Sequence, residues 1–230
     1  PTPRGNHPMH NTSPARAAAT ALFLAVLAVA GSPPASADIP TVSPGDRIEY
    51  LSPTADVTMF CTIGYVYTGR DLHTYAVTAG HCRGKTAGYA RATRTGLTGD
   101  FTRAIVEPPY QGGPDYGLID FGIRSLPLAY IGDTPTTNRH PQPEKGQQVC
   151  RTGVSSGQHC GAITGYAGKN QYLTTGMPAS IPGDSGGPVW LTTDTGSADI
   201  IGIWLGEKTT TNGQEHGRFA SLADGLQLLN

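Results

Sequence analysis

From Val57 onward, short apolar or β-branched runs are broken at close intervals by Gly, Asp or Asn. The runs are VTMFCTIGYVYTG, TYAVTAG, YGLIDFGI, QVCRTGV, CGAITGYA, QYLTTG, GPVWLT and DIIGIWLG, a rhythm that reads as strands joined by tight turns. Glycine (31) and proline (19) supply the turns, and charged residues make up only 14% of the chain, against roughly 25% in an average globular protein. Such a composition favours an all-β barrel or sandwich over a helical bundle, and it excludes collagen, a coiled coil and a multi-span membrane protein. Only the end reads as helix, where Leu222, Leu226 and Leu229 fall at i, i+4 and i+7. Residues 127–147 hold four prolines and no sustained period, which fits a crossing between an N-terminal half, 38–135, and a C-terminal half, 136–230.

The first 37 residues have a different character. Arg4 and Arg16 are their only charges, and Ala17 to Ala30 is apolar except for Thr20. Fourteen residues fall short of the roughly 20 that span a bilayer. A basic flank, a short apolar core and the small-residue site Ala35-Ser36-Ala37 describe a secretory signal peptide, cleaved after Ala37. The first residue is not Met, and Met9 is a candidate start. The expected product is exported, with no membrane attachment once the signal is removed. Sixteen basic and seventeen acidic residues are scattered singly, so the chain lacks the footprint of a nucleic-acid binder.

Four cysteines in an exported chain suggest disulfides, with three connectivities open. None forms a CxxC pair, so a zinc site is poorly supported, and no metal or other cofactor is expected. Local pairing, Cys61 with Cys82 and Cys150 with Cys160, would contribute roughly 3 kcal/mol each in the chain-entropy model.

Three short segments bear chemistry. Thr78-Ala79-Gly80-His81-Cys82 puts an imidazole at a strand end beside a cysteine that can anchor it. Gly183-Asp184-Ser185-Gly186-Gly187-Pro188 surrounds a serine with residues lacking bulk, which lets the backbone turn sharply and aim successive N–H groups at one point. Pro114-Asp115-Tyr116-Gly117-Leu118-Ile119 brings an acid into a strand. Each alone has an ordinary structural explanation: a core histidine, a glycine turn, a capping carboxylate. Together they supply what a weak serine nucleophile requires, a base to take its proton and a carboxylate to orient that base.

TAGHC, PDYGLI and GDSGGP, in the order His, Asp, Ser, resemble the motifs of the chymotrypsin-fold serine proteases. CTIGYVYTG before TYAVTAGHC, followed by VCRTGVSSGQHCGAITG, is similar to the secreted bacterial branch that includes α-lytic protease and the streptogrisins. The resemblance runs from about Ser43 to the C-terminus. It implies two six-stranded antiparallel β-barrels with a short C-terminal helix and a cleft between the barrels. It further implies His81 as general base and acid, Asp115 as its orienting group and Ser185 as nucleophile. Backbone N–H groups of Gly183 and Ser185 would form the oxyanion hole, and the two local disulfides gain support. The implied partner is a polypeptide substrate, cut by a monomeric endopeptidase.

The chain departs from the family in two places. It has no IVGG-type segment whose new amino terminus could pair with Asp184, and Arg151 in the VCR motif is the matching partner. The substrate-pocket wall reads Gly202-Ile203-Trp204-Leu205-Gly206-Glu207, without the usual serine. Ala179, Trp204, Leu205, Gly206 and Glu207 are the expected pocket residues. No charge lies in 176–182 and Trp204 is expected to narrow the slot, so a small or apolar residue should precede the cleaved bond. Two rival readings follow. Gly183–Gly187 also fits a GxSxG nucleophile elbow, but only His216 follows it and no long helix does. A catalytically silent, protease-like binding protein would keep the triad behind a blocked pocket.

Overall fold

The computed structural model describes residues 38–106 and 112–230, and the expected signal peptide lies outside them. The N-terminal half contains β1 (Thr41–Val42), β2 (Arg47–Leu51), β3 (Val57–Thr62), β4 (Tyr65–Thr68), β5 (Thr74–Thr78), β6 (Tyr89–Ala92), β7 (Thr98–Val106) and β8 (Asp115–Asp120). Seven of these form one antiparallel sheet in the order β3-β2-β6-β7-β8-β5-β4. Both edge strands come from one stretch of chain, interrupted at Ile63–Gly64. The Ile63 N–H goes to Asp46 O on the β2 side and the Gly64 N–H to Val77 O on the β5 side. The sheet therefore curls until a single bent path forms both of its edges, and six strand paths wrap one core.

The connection carries β9 (Leu126–Pro127), which pairs in parallel with β1, and the small hairpin of β10 (Tyr130–Ile131) and β11 (Thr134–Pro135). After it come β12 (Gln148–Gly153), β13 (Gly157–Tyr166), β14 (Gln171–Thr175), β15 (Pro188–Thr192), β16 (Ala198–Thr209) and β17 (Glu215–Ser221). These six strands close into a barrel, β12-β13-β14-β17-β16-β15. The chain ends in α1 (Leu222–Leu229), whose first turn is capped by Ser221 Oγ accepting from the Asp224 N–H at 3.3 Å. Leu222 and Leu229 are buried. Among the described residues no helix is long and apolar enough to cross a membrane.

Apolar side chains divide between two cores. Val149, Ile163, Tyr172, Val189, Ile201, Trp204 and Phe219 fill the C-terminal barrel. A larger cluster runs from the N-terminal sheet to Ile200, Ile203 and Leu205 of β16 and on to Leu222, so both halves share it. The two disulfides are the local ones, Cys61 with Cys82 and Cys150 with Cys160.

Gly64 shows how tightly the halves meet. A Cβ there would strike Ile203 Cδ1 and come within 2.5 Å of Gly186 O. Gly64→Ala should lower the free energy of unfolding by about 1–3 kcal/mol, the usual cost of overpacking, as read by urea denaturation. An unchanged midpoint would mean that the two halves are not in contact there.

Candidate active site

His81 lies just beyond β5, in the single 3-10 turn Gly80–Cys82. Two constraints hold that turn. Cys82 is cross-linked to Cys61 of β3, and Asp115, the first residue of β8, takes two hydrogen bonds from His81. The His81 N–H donates to Oδ1 at 2.9 Å and the ring Nδ1 pairs with Oδ2 at 2.7 Å. The largely buried carboxylate thereby fixes the ring's rotation and favours the proton on Nδ1. Nε2 is left free to accept a proton.

Ser185 is carried by the turn between residues 180 and 188. Gly183 and Gly186 have φ of 103° and 85°, a left-handed conformation that side chains other than glycine rarely adopt. Thr62 at the end of β3 fastens this turn to the N-terminal half. Its N–H donates to Ser185 O at 2.9 Å and its Oγ1 to Gly183 O at 2.8 Å. Cys82 Sγ lies 3.9 Å from Ser185 O, so the serine sits against the turn that carries His81. No hydrogen bond joins the Ser185 hydroxyl to the ring among the described residues.

Backbone polarity in the serine turn follows from what its carbonyls do. Pro182 O accepts from Ser155 Oγ at 2.7 Å, and Asp184 O accepts from the Gly187 N–H at 3.1 Å. Since a trans peptide sets its N–H opposite its carbonyl, the N–H groups of Gly183 and Ser185 point away from those partners. Neither has an acceptor among the described residues.

Asp184 and Arg151 are both fully buried and meet at 3.2 Å, Nη1 to Oδ2. The contact is single, not the forked pair that a guanidinium can make. Nη1 also donates to Ser156 Oγ at 2.9 Å, and Nη2 to Pro178 O at 3.2 Å. The carboxylate accepts in addition from the N–H groups of Ser155, Ser156 and Ile181 at 3.0–3.1 Å. Burial pushes the Asp184 carboxyl up, but hydrogen bonds from Ser156, Ile181 and Ser155 outweigh it and hold it below the ordinary range.

The expected pocket residues separate. Ala179 and Glu207 line a cavity of about 100 Å³ together with Met177, Glu215, His216 and Gly217. Trp204 and Leu205 are 1% and 5% exposed. The Trp204 ring lies inside the C-terminal barrel, under the Arg151 guanidinium at 4.7 Å, and its edge occupies the space that a Cβ on Gly217 would need. It backs the cavity instead of narrowing its mouth, because the register shift at Ile201 lets β16 turn both Ile201 and Trp204 into the barrel. Glu207 accepts from Ser180 N at 2.6 Å and Oγ at 2.9 Å, bridging the two walls. A larger cavity, about 750 Å³ and lined by His73, Asp100 and Asp120, contains none of these groups. Glu215, His216 and Gly217 are not legible as pocket residues in the sequence, since only the β16 to β17 register brings them beside Glu207.

No protein-family model matches the sequence. The chain is 35% identical over 203 residues to the uncharacterised protein Rv1815 of Mycobacterium tuberculosis, covering 81% of this chain and 83% of that protein. It is 32% identical over 143 residues to serine protease 2 of Streptomyces fradiae, covering 56% of this chain and 79% of that protein. The chain belongs to the chymotrypsin-fold serine proteases. The chymotrypsin of Cellulomonas bogoriensis shares the fold, at a TM-score of 0.57 and 24% identity over 82% of this chain and 96% of that structure.

For this serine protease the lowered Asp184 value has a clear sign. A carboxyl held below its unfolded value, about 3.9, contributes stability that is complete above that value and is lost as pH falls through the folded one. Wild-type unfolding free energy should therefore decline below about pH 4. Asp184→Asn should be destabilised at pH 7 by about 3–5 kcal/mol, because Arg151 is left buried and unpaired, and should show a shallower acid decline. Urea titrations at pH 7 and pH 3 test this; identical acid slopes would remove Asp184 from the account.

Proposed function

We propose that the chain is a secreted serine endopeptidase that cuts peptide bonds through an acyl-enzyme. The observation that carries this reading is the double grip of Asp115 on His81 beside a serine turn with two N–H groups that have no acceptor among the described residues. Ser185 Oγ attacks the scissile carbonyl carbon while His81 Nε2 takes its proton, and Asp115 balances the imidazolium. The carbonyl oxygen gains negative charge and is met by the N–H groups of Gly183 and Ser185, which act as the oxyanion hole. Collapse of this intermediate expels the amine, which takes the proton from His81. Water, activated by the same imidazole, then releases the acyl group. Export is supported by the apolar segment Ala17 to Ala30 and by two disulfides of the kind that persist in oxidising compartments.

One observation favours a second reading, a protease-like binding protein without turnover. The Glu207 bridge to Ser180 and the Trp204 ring behind Gly217 leave little room for a side chain before the cleaved bond. Under the enzyme reading the same features select small residues there.

A fluorophosphonate probe separates the two. It should label the oxidised wild-type protein at neutral pH, and Ser185→Ala should abolish labelling. Asp115→Asn should cut turnover by about 10⁴, the size of the loss when a triad aspartate becomes an amide and the imidazole takes the wrong tautomer. Absence of labelling together with no cleavage across a broad peptide library would favour the silent binder.

A further inference from the structure

Arg218 has no part in the machinery described above, yet it stands next to it. On β17 its neighbour Phe219 points into the barrel, so alternation turns Arg218 outward, toward the N-terminal half. Its Nη1 donates weakly to Gln171 Oε1 at 3.4 Å, and Gln171 Nε2 donates to Gly113 O, two residues before Asp115. The guanidinium makes no salt bridge among the described residues, and its Nε is buried without a partner. Asp115 and Glu207 both act on it electrostatically, but each is committed elsewhere, Asp115 to His81 and Glu207 to Ser180. Burial pushes the group below the usual arginine range, and the charges of Asp115 and Glu207 only partly offset this. A half-buried cation without a counter-ion among the described residues is costly unless something completes it.

The surroundings indicate what could complete it. Pairing of β16 with β15 ends at Ile203, so Gly206 and Glu207 are paired on the β17 side only, and Leu205 between them and Trp204 is a bulge without a ladder partner. That free edge begins beside the serine turn, where Trp204 O accepts from the Gly186 N–H at 2.7 Å. An extended peptide can add to such an edge as a further strand. In antiparallel register its C-terminal end runs toward Trp204 and Ser185, so the residues along 205–207 precede the bond attacked. Gly206 lies directly across the ladder from Arg218. A Cβ on Gly206 would meet nothing nearer than Ser180 Oγ at 4.0 Å, which leaves the space between guanidinium and peptide open.

We propose that Arg218 is a specificity-determining residue that binds a carboxylate on the acyl side of the scissile bond, reaching it across the bare Gly206. The proposal rests on the protease reading for the direction of the bound peptide, and it deepens that reading by naming an acidic substrate class.

Binding is measured on Ser185→Ala protein, so that turnover does not enter. The ligands are end-blocked peptides that carry Glu or Gln at one of the four positions before the bond. At one position Glu should bind about tenfold tighter or better, the worth of a charged hydrogen bond. Arg218→Gln should remove the difference, and Arg218→Lys should keep part of it. A Gln peptide with a free C-terminal carboxylate tests the other source of the same group; if it alone gains affinity, Arg218 binds cleaved product and the substrate assignment falls. Equal affinity of Glu and Gln at every position, or no binding at all, overturns the proposal without reference to any variant's folding. Failure of the fluorophosphonate to label wild-type Ser185 would instead defeat the protease reading.

Discussion

The buried contact between Arg151 and Asp184 is the interaction on which the geometry of the site depends. Two opposite charges at zero exposure are stable only if their remaining hydrogen-bonding capacity is used; here the carboxylate accepts four hydrogen bonds and both Nη groups of Arg151 donate, while its Nε is buried without a partner among the described residues. Asp184 draws in the N–H groups of Ser155, Ser156 and Ile181, while Arg151 reaches Ser156, the Pro178 carbonyl and the Trp204 face. One pair thus fixes the hairpin between β12 and β13, the segment before the serine and the back of the cavity. The Cys150–Cys160 disulfide holds the root of that hairpin.

A second hub joins the halves. Thr62 donates to the serine turn twice and accepts at its carbonyl from Thr78 Oγ1 at 2.8 Å, at the end of the strand that leads to His81. Its Oγ1 also accepts from the Val154 N–H at 3.0 Å. A single buried residue therefore ties the imidazole strand, through its carbonyl, to the serine turn and the Arg151 hairpin, through its hydroxyl. The separation between His81 and Ser185 is set by hydrogen bonds between the halves, with apolar packing around Gly64 beside them.

Much of this is legible in the chain. Strands with a dense apolar pattern, such as Asp115–Asp120 and Pro188–Thr192, lie where their runs stand. The histidine, aspartate and serine segments meet as the resemblance implies, and Arg151 lies beside Asp184. Four strands give little signal: β2, β6, β7 and β17 place polar and charged residues among their apolar ones, as in Tyr89–Ala92 and Glu215–Ser221. β17 is the consequential omission, since it brings His216, Gly217 and Arg218 to the cleft through pairing register alone. Trp204 departs from its expected place in the slot for a related reason. Only the closed barrel determines which face of β16 is inside, and a local run of seven apolar or small residues, 200–206, does not reveal it.

The central claim is that the Arg151 contact with Asp184 holds the serine turn in its reactive form. The most direct measurement is the rate at which a fluorophosphonate acylates Ser185 in Arg151→Met, with near-ultraviolet circular dichroism confirming that the variant remains folded at the working temperature. The account predicts a fall of about 100-fold or more, comparable to losing one oxyanion donor, in protein that keeps its tertiary signal. A folded Arg151→Met protein that reacts at the wild-type rate would contradict it.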